Sequence, residues 1–262
     1  MKFSISNIAW VAEDDETVYG AMKEYSFVGL EIAPTRIFPE SPYDKLSEAA
    51  SWQEEIYGKY GFAIPSMQSI WYGRKELLFG SEEERNTLLE YTKKAIDFAE
   101  AVHCGNLVFG CPKNRNIPEG GDSKAGIGFF RELGEYAAAK GTCIGIEANP
   151  TIYGTNYIIG TKEAVDLVNK VGSKGIGLNV DVGTMIHNNE GAEILKGNVS
   201  LINHVHISEP GLKPIEKRFL HKDILRVLED EGYDRYVSIE MGRTEDIGIV
   251  REKMEYLKGL FE

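Results

Sequence analysis

Short apolar runs alternate with longer helix-like stretches along the whole of this 262-residue chain. The runs are rich in Val, Ile and Leu, which is typical of strands buried on both faces of a parallel sheet. We predict strands at residues 2–8, 28–32, 63–68, 106–109, 143–147, 177–181, 204–206 and 237–240. The predicted helices lie at residues 16–25, 43–60, 81–102, 123–140, 161–171, 190–195, 214–231 and 244–261. Eight such units predict an α/β fold, a single (β/α)8 TIM barrel in which residues 1–262 form one domain.

The alternative architecture is an open doubly wound sheet, which is also built from alternating strands and helices. Such a sheet binds its ligand at one topological switch point. In this chain, residues able to bind a ligand follow four consecutive strands, and this arrangement favours the closed barrel. Local helix signals agree with the assignment. Ser81 precedes Glu84 by the spacing of a capping box, and Gly141 is a natural helix stop.

Four successive predicted strands in the second half of the chain each end on a side chain that can bind a divalent metal. These side chains are Glu147, Asp181, His206 and Glu240, separated by 34, 25 and 34 residues. Each gap is long enough for one strand-loop-helix-loop unit, so neighbouring strands of a barrel would place all four at one end. Acidic residues also end strands or start helices without binding a metal, and this is the simpler alternative. Their recurrence at four consecutive strand ends favours the metal site.

Three carboxylates and one imidazole form an oxygen-rich ligand set, which suits Mn²⁺, Mg²⁺ or Co²⁺, with Zn²⁺ as a further alternative. Manganese is the first choice. A carbonyl and a neighbouring hydroxyl of a sugar could fill the open positions, and the ion would then favour an enediolate when a proton leaves the adjacent carbon. We predict that Glu147 and Glu240 remove and return this proton. Return to the opposite face of the same carbon gives an epimer, whereas return to the adjacent carbon interconverts aldose and ketose.

Charge and composition narrow the partners. The formal net charge of −12 argues against a nucleic-acid partner, because phosphate binding needs clustered Lys and Arg. A small-molecule carbohydrate substrate is expected instead. No apolar stretch approaches the roughly 18 residues that span a bilayer, so no membrane partner is expected. Cys104, Cys111 and Cys143 show no CxxC spacing, which favours a reducing compartment and a cytoplasmic location. The oligomeric state is left open, with a homo-oligomer among the alternatives.

Five segments of the chain carry a resemblance to a known superfamily. They are IEANP around Glu147, LNVDVGTM around Asp181, HVHISEP around His206, SIEMG around Glu240 and, as a weaker match, FVGLEIAP around Glu31. The sequence resembles the xylose-isomerase-like TIM barrel superfamily, and within it the sugar phosphate isomerase/epimerase group of the D-tagatose 3-epimerase type. In those epimerases the four stronger positions bind the metal, and the two glutamates also transfer protons. The resemblance implies a divalent-metal-dependent sugar or sugar phosphate isomerase/epimerase.

Further residues are predicted to contact the substrate, because they lie at or after strand ends on the side of the metal candidates. They are Glu31, Gln68, Trp71, Asn149, Thr184, His187, Ser208 and Glu209. Two positions depart from the resemblance. The ketose 3-epimerases usually carry a substrate-binding His at the position of Thr184 and an Arg at the position of Leu212. His187 and Lys213 lie nearby in the sequence and could take these roles.

Two other functions fit the same residues. A metal-dependent keto-polyol dehydratase of the inosose type would use a similar enediolate-like intermediate, but its product is lighter by one water. A non-catalytic sugar-binding barrel would fit the departures at Thr184 and Leu212, but it would not exchange a substrate proton. The related DNA-repair endonuclease IV is disfavoured, because it needs more histidines and a basic DNA-facing surface than five histidines and a charge of −12 provide.

Overall fold

The computed structural model describes residues 1–261 and shows a sheet of parallel strands surrounded by helices. The order of the strands in the sheet is β2-β1-β7-β6-β5-β4-β3. Their bounds are β1 Lys2–Ser6, β2 Gly29–Glu31, β3 Leu107–Phe109, β4 Ile144–Glu147, β5 Ile176–Asp181, β6 Ile202–Ile207 and β7 Tyr236–Ile239. Each strand from β3 to β6 lies beside the next strand in the chain, and β1 lies between β7 and β2. This is the topology of a parallel βα barrel.

The remaining place in the ring, between β2 and β3, is taken by residues 63–67. Ala63 pairs with Gly29 of β2, while Met67 pairs with Ile32 on one side and with Leu107 on the other. The predicted strand at residues 63–68 is therefore present only as isolated bridges. Pro65 lies in its middle and has no N–H to donate, so a continuous ladder cannot form there. The predicted (β/α)8 TIM barrel fold is confirmed, with one of its eight strands reduced in this way.

The helices cover the outside of the sheet; successive helices from α3 to α6 pack against each other, and α1 packs against α9. Their bounds are α1 Asp15–Glu24, α2 Pro34–Ile37, α3 Leu46–Tyr60, α4 Glu82–Ala101, α5 Lys124–Ala139, α6 Thr161–Val171, α7 Val182–Asn188, α8 Phe219–Asp230 and α9 Ile247–Gly259. The capping box of Ser81 and Glu84 is present at the start of α4. None of the helices within residues 1–261 combines the length and apolar character that a membrane crossing requires.

Between β5 and β6 the predicted helix at residues 190–195 is wrong. That segment contains a 3₁₀ turn, Ala192–Leu195, whereas the α-helix of this unit is α7, which begins directly after β5. The carboxylate of Asp181 caps α7, because it accepts hydrogen bonds from the backbone N–H groups of Gly183 and Thr184. α7 is short and has Gly183 near its start, so it shows little helical periodicity in the sequence. The start of the helix is marked instead by the cap that Asp181 provides.

Residues alternate along each strand between two environments. In β4, Ile144 and Ile146 belong to the apolar core, whereas Gly145 and Glu147 alternate with them. A Cβ on Gly145 would meet side-chain atoms of Asn106 and Asn179, so this second set points into the barrel. As expected, β4 and β5 are buried on both faces, but the face that points into the barrel holds small and polar side chains. These interior side chains form the candidate site.

Candidate metal centre

The predicted ligands come from four adjacent strands and reach the same end of the barrel. Glu147 ends β4, Asp181 ends β5, His206 lies near the end of β6, and Glu240 directly follows β7. Asp181 is paired with His206 in the β5–β6 register. All four side chains are buried. A parallel barrel gathers residues at the carboxyl ends of its strands, which is why such widely spaced positions meet.

Two carboxylates converge on one ring nitrogen of His206. Its Nδ1 lies 3.0 Å from Oε1 of Glu147 and 3.2 Å from Oε2 of Glu240. Its other nitrogen, Nε2, lies 2.8 Å from Oε1 of Glu31. One ligand atom from each of Glu147, His206 and Glu240 falls within 4.8 Å of the others. These three side chains can hold one ion together.

The donor atoms fit a divalent cation. If Nε2 of His206 donates its hydrogen to Glu31, then Nδ1 presents a lone pair between Glu147 and Glu240. This is the usual arrangement of a metal-binding histidine, in which a carboxylate on the other nitrogen fixes the tautomer. The oxygen-rich remainder of the set suits Mn²⁺, Mg²⁺ or Co²⁺.

Asp181 lines the same pocket but has many protein donors of its own. Its Oδ1 accepts from Ser208 Oγ and, at 3.2 Å, from the backbone N–H of Gly183. Its Oδ2 accepts from the backbone N–H of Thr184 at 3.0 Å and from the Thr184 hydroxyl at 2.6 Å. The cluster of ligand atoms within 4.8 Å contains Glu147, His206 and Glu240 but not Asp181, so its role as the fourth ligand stays a prediction.

The centre carries an excess of negative charge. Burial raises the pKa of Asp181, and the nearby charge of Glu147 raises it further. Burial also raises the pKa of Glu240, against the opposing effect of His206. Burial alone would lower the pKa of His206, but Glu240 and Glu31 raise it well above its ordinary value. A buried group of carboxylates that perturb one another in this way is stabilised by a cation.

Amide side chains fix the carboxylate of Glu147. Asn179 donates through Nδ2 to Oε1 of Glu147 at 2.7 Å, and Asn149 donates through Nδ2 to Oε2 at 3.0 Å. Asn179 was not predicted as a site residue. It lies two residues before Asp181 on the same strand face, and this spacing is the signal that could have revealed it.

A pocket with a volume of about 170 Å³ opens above the centre. Of the predicted substrate-binding residues, those that line it are Gln68, Asn149, Ser208 and Glu209. Tyr153 and Leu212 also line the pocket and were not predicted to do so. The phenol oxygen of Tyr153 accepts a hydrogen bond from the backbone N–H of Gly211 at 2.6 Å, which ties the loop after β4 to the loop after β6.

The other predicted substrate-binding residues have different partners. Glu31 lies below the pocket, between His204 and His206. Trp71 is buried, and its indole N–H donates to Thr92 at 2.8 Å. Thr184 is fully buried against Asp181, and His187 is exposed near the end of α7. Their substrate contacts stay predictions.

The fold and the gathered ligands define a class of protein. The family model of the xylose isomerase-like TIM barrel matches residues 21–260, and the chain belongs to this family. The resemblance seen in the sequence is thus confirmed. No curated protein matches the chain by sequence.

Several solved structures share the fold at low sequence identity. One is a 3-keto-D-glucoside 4-epimerase from E. coli, with 20% identity over 99% of both chains and a TM-score of 0.77. Another is a D-psicose 3-epimerase with D-tagatose from Clostridium cellulolyticum H10, with 18% identity over 99% of this chain and 96% of that chain and a TM-score of 0.73. A third is an AP endonuclease, family 2, from Brucella melitensis, with 20% identity over 99% of both chains and a TM-score of 0.74.

Proposed function

We propose that the protein is a divalent-metal-dependent isomerase or epimerase that acts on a keto sugar. The observation that carries this proposal is the convergence of Glu147 and Glu240 on Nδ1 of His206, at 3.0 and 3.2 Å, beneath an open pocket. Two carboxylates beside one Lewis-acid site are what proton removal and return next to a carbonyl require. The sugar epimerases among the similar structures support the proposal. The net charge of −12 favours it over a DNA-directed activity like that of the similar AP endonuclease.

In the proposed reaction, Glu147, Asp181, His206 and Glu240 hold the ion, which when bound polarises the carbonyl of the substrate. One of the two glutamates takes a proton from the carbon next to that carbonyl. The electron pair of the broken C–H bond forms the C=C bond of an enediolate, and the carbonyl oxygen takes the charge. The other glutamate, which is protonated at the start, gives its proton to the opposite face of the same carbon, and the C=O bond re-forms as the C=C bond is lost.

Polar groups around the pocket can orient the sugar. Gln68, Asn149 and Ser208 offer neutral hydrogen-bonding groups, and Glu209 offers a carboxylate. Glu209 is held in place by Arg218, whose Nε and Nη2 each donate to it at 2.6 Å. Leu212 adds an apolar contact at the position where the resemblance leads one to expect an arginine.

Several finer predictions belong to this proposal. Manganese is the proposed ion, and the proposed location is the cytoplasm. A homo-oligomer and a phosphorylated substrate stay open alternatives. The ion, the oligomeric state and the phosphorylation of the substrate can be measured on the purified protein, by metal analysis, by sedimentation and by comparing free with phosphorylated keto sugars.

The test is incubation of the Mn²⁺-loaded protein in D₂O with D-psicose, D-tagatose and a 3-keto-D-glucoside. The expected result is incorporation of one deuterium next to the carbonyl, together with an epimer or isomer, measured by NMR and mass spectrometry. A product lighter by one water would instead identify the dehydratase. Sugar binding without deuterium incorporation would identify a non-catalytic barrel.

The first mutational prediction concerns Glu240→Gln. The variant should still bind sugar but exchange protons about 10²- to 10⁴-fold more slowly, because an amide cannot accept the proton. Glu147→Gln should behave in the same way. Glu245→Gln is a matched control, since Glu245 is exposed in the loop after β7. If Glu240→Gln exchanges at the wild-type rate with metal bound, Glu240 is a ligand only.

A further inference from the structure

A fully buried arginine lies behind Glu147. Arg115 follows the 3₁₀ turn Pro112–Asn114 in the loop between β3 and α5, and its relative exposure is 0%. Its Nη1 donates to the backbone carbonyl of Glu147 at 2.9 Å. Its Nη2 donates to Oδ1 of Asn149 and to the backbone carbonyl of Ile158, both at 3.1 Å. One guanidinium therefore holds the end of β4 and two points in the loop that follows it.

The buried charge is costly. Within residues 1–261, Arg115 forms no salt bridge, and its Nε has no hydrogen-bond partner. Burial lowers the pKa of Arg115 to about 10, so the side chain is still charged at neutral pH. Burying a cation without a paired carboxylate is unfavourable, because the charge loses its hydration.

Holding the two loops together does not require a charge. Asn116 donates through Nδ2 to the carbonyl of Gly154 at 2.6 Å, and Asn156 donates through Nδ2 to the carbonyl of Ile117 at 2.9 Å. These neutral contacts join the same loops near the surface. Arg115 differs from Asn116 and Asn156 in its position, because its contacts lead to the carboxylate of Glu147 and theirs do not.

That connection runs through Asn149. Because Arg115 donates to Oδ1 of Asn149, the amide nitrogen must face the other way, and it donates to Oε2 of Glu147 at 3.0 Å. The amide cannot flip without placing its NH₂ group against the guanidinium. The cation thus determines which group meets the second carboxylate oxygen of Glu147.

We propose that Arg115 is a positioning residue for the proposed metal ligand and proton carrier Glu147, acting on its backbone carbonyl directly and on its carboxylate through Asn149. The inference rests on the proposed function. Without the guanidinium, Asn149 is free to rotate, and the carboxylate keeps only its contacts to Asn179 and His206. Both Mn²⁺ affinity and proton transfer then depend on Arg115, although Arg115 does not contact the ion or the sugar.

The test compares Arg115→Met, Asn149→Ala and the double variant. Mn²⁺ affinity is measured by titration calorimetry, and deuterium exchange gives kcat and KM for the best keto sugar. Each single variant should lose about 10- to 100-fold in Mn²⁺ affinity or in kcat, as is usual for residues that orient metal ligands, with a smaller change in KM. The double variant should be no worse than the more impaired single variant, because both changes break one connection. Arg115→Lys should lose less Mn²⁺ affinity or kcat than Arg115→Met, because its ammonium nitrogen can still donate hydrogen bonds.

The matched control is Asn116→Ala, which removes a contact between the same loops but not the path to Glu147. It should leave Mn²⁺ affinity and kcat unchanged. Equal losses in Asn116→Ala, effects of Arg115→Met and Asn149→Ala that add, or wild-type affinity and kcat in Arg115→Met would each overturn the proposal. If Arg115→Met fails to fold, wild-type affinity and kcat in Asn149→Ala would overturn it. A wild-type protein that binds Mn²⁺ without exchanging any sugar proton would overturn the proposed function alone, and one that does not bind Mn²⁺ would overturn both.

Discussion

The space beside Glu147 matters as much as its hydrogen bonds. Gly110 directly follows β3, and a Cβ built on it would lie 2.7 Å from Oε2 of Glu147 and 3.2 Å from Oδ1 of Asn149. Carbon cannot approach an oxygen to 2.7 Å without a clash, so one of these groups would have to move. A glycine is required here for space rather than for backbone conformation.

We therefore predict that Gly110→Ala displaces the carboxylate of Glu147. Mn²⁺ affinity, measured by titration calorimetry, should fall about tenfold or more, which is the scale seen when the orientation of a metal ligand is disturbed. Gly105→Ala is the control, because the nearest contact of its Cβ is the carbonyl of Pro65 at 3.8 Å. Equal affinities in the two variants would show that Glu147 does not contribute to metal binding.

Some of the individual residues of the site could be predicted from the sequence. Glu147, His206 and Glu240 were expected to meet, and they do, because the ends of parallel strands converge in any closed barrel. The hydrogen bonds by which Arg115 and Tyr153 join the loops were not predicted. Both lie in loops, where the path of the backbone decides what a side chain touches, and no periodicity in the sequence encodes that path.

Two glycines in the same helix can affect stability differently, although their intrinsic helix propensity is the same. In α5, a Cβ on Gly134 would lie 2.6 Å from Cγ1 of Ile176 in β5 and 2.6 Å from Oγ of Ser173. A Cβ on Gly128 of the same helix would meet nothing within 4 Å. Gly134 allows α5 to approach the sheet closely, whereas Gly128 only weakens the helix.

Gly128→Ala should therefore raise the free energy of unfolding by about 0.5–1 kcal/mol, because alanine loses less backbone entropy in a helix. Gly134→Ala should lower it by about 1–3 kcal/mol through overpacking. Urea unfolding of the two variants and the wild type measures both changes. Opposite signs are expected, and a stabilised Gly134→Ala variant would show that α5 does not pack against β5 as described.

Helices were predicted correctly where a local sequence signal marks where they begin or end. The helix Thr161–Val171 matches its predicted bounds, and α4 starts at the predicted capping box. The unit between β5 and β6 was wrong, because α7 is short and its start depends on the side chain of Asp181. The barrel topology was predictable because right-handed βα connections leave few arrangements of the strands.

The stability of the whole molecule should depend on His221. This residue is fully buried in α8, with Nδ1 3.0 Å from the phenol oxygen of Tyr256 in α9. Burial lowers its pKa from 6.5 to about 4. The unfolded chain therefore binds a proton more readily than the folded protein between these values, so stability is lost as the pH falls through this range.

Between about pH 7.5 and about pH 5 this one group should cost the fold about 2 kcal/mol. Urea unfolding of the wild type and of His221→Gln at both pH values measures the effect. The decrease in unfolding free energy on acidification should be smaller in His221→Gln by that amount. His103→Asn, at an exposed histidine, should keep the wild-type decrease. Identical decreases in His221→Gln and the wild type would show that folding does not lower the pKa of His221.

At the scale of the whole chain, the family match covers residues 21–260, and the prediction that residues 1–262 form one domain stays a prediction. What a matching fold does not provide is the substrate. Barrels of the same family differ in the loops above the strands, and in this chain those loops contribute Leu212, Tyr153 and Arg115.

The ring of strands is closed by the pairing of β1 with β7, which sets Lys2 beside Tyr236. During synthesis, β1 leaves the ribosome soon before its neighbour β2 but long before its other neighbour, β7. At ordinary elongation rates this delay is on the order of ten seconds to a minute. Throughout that time β1 exposes an unpaired edge, which is a site for pairing with other chains. The yield of folded protein in a cell therefore depends on how that edge is protected until β7 has been translated.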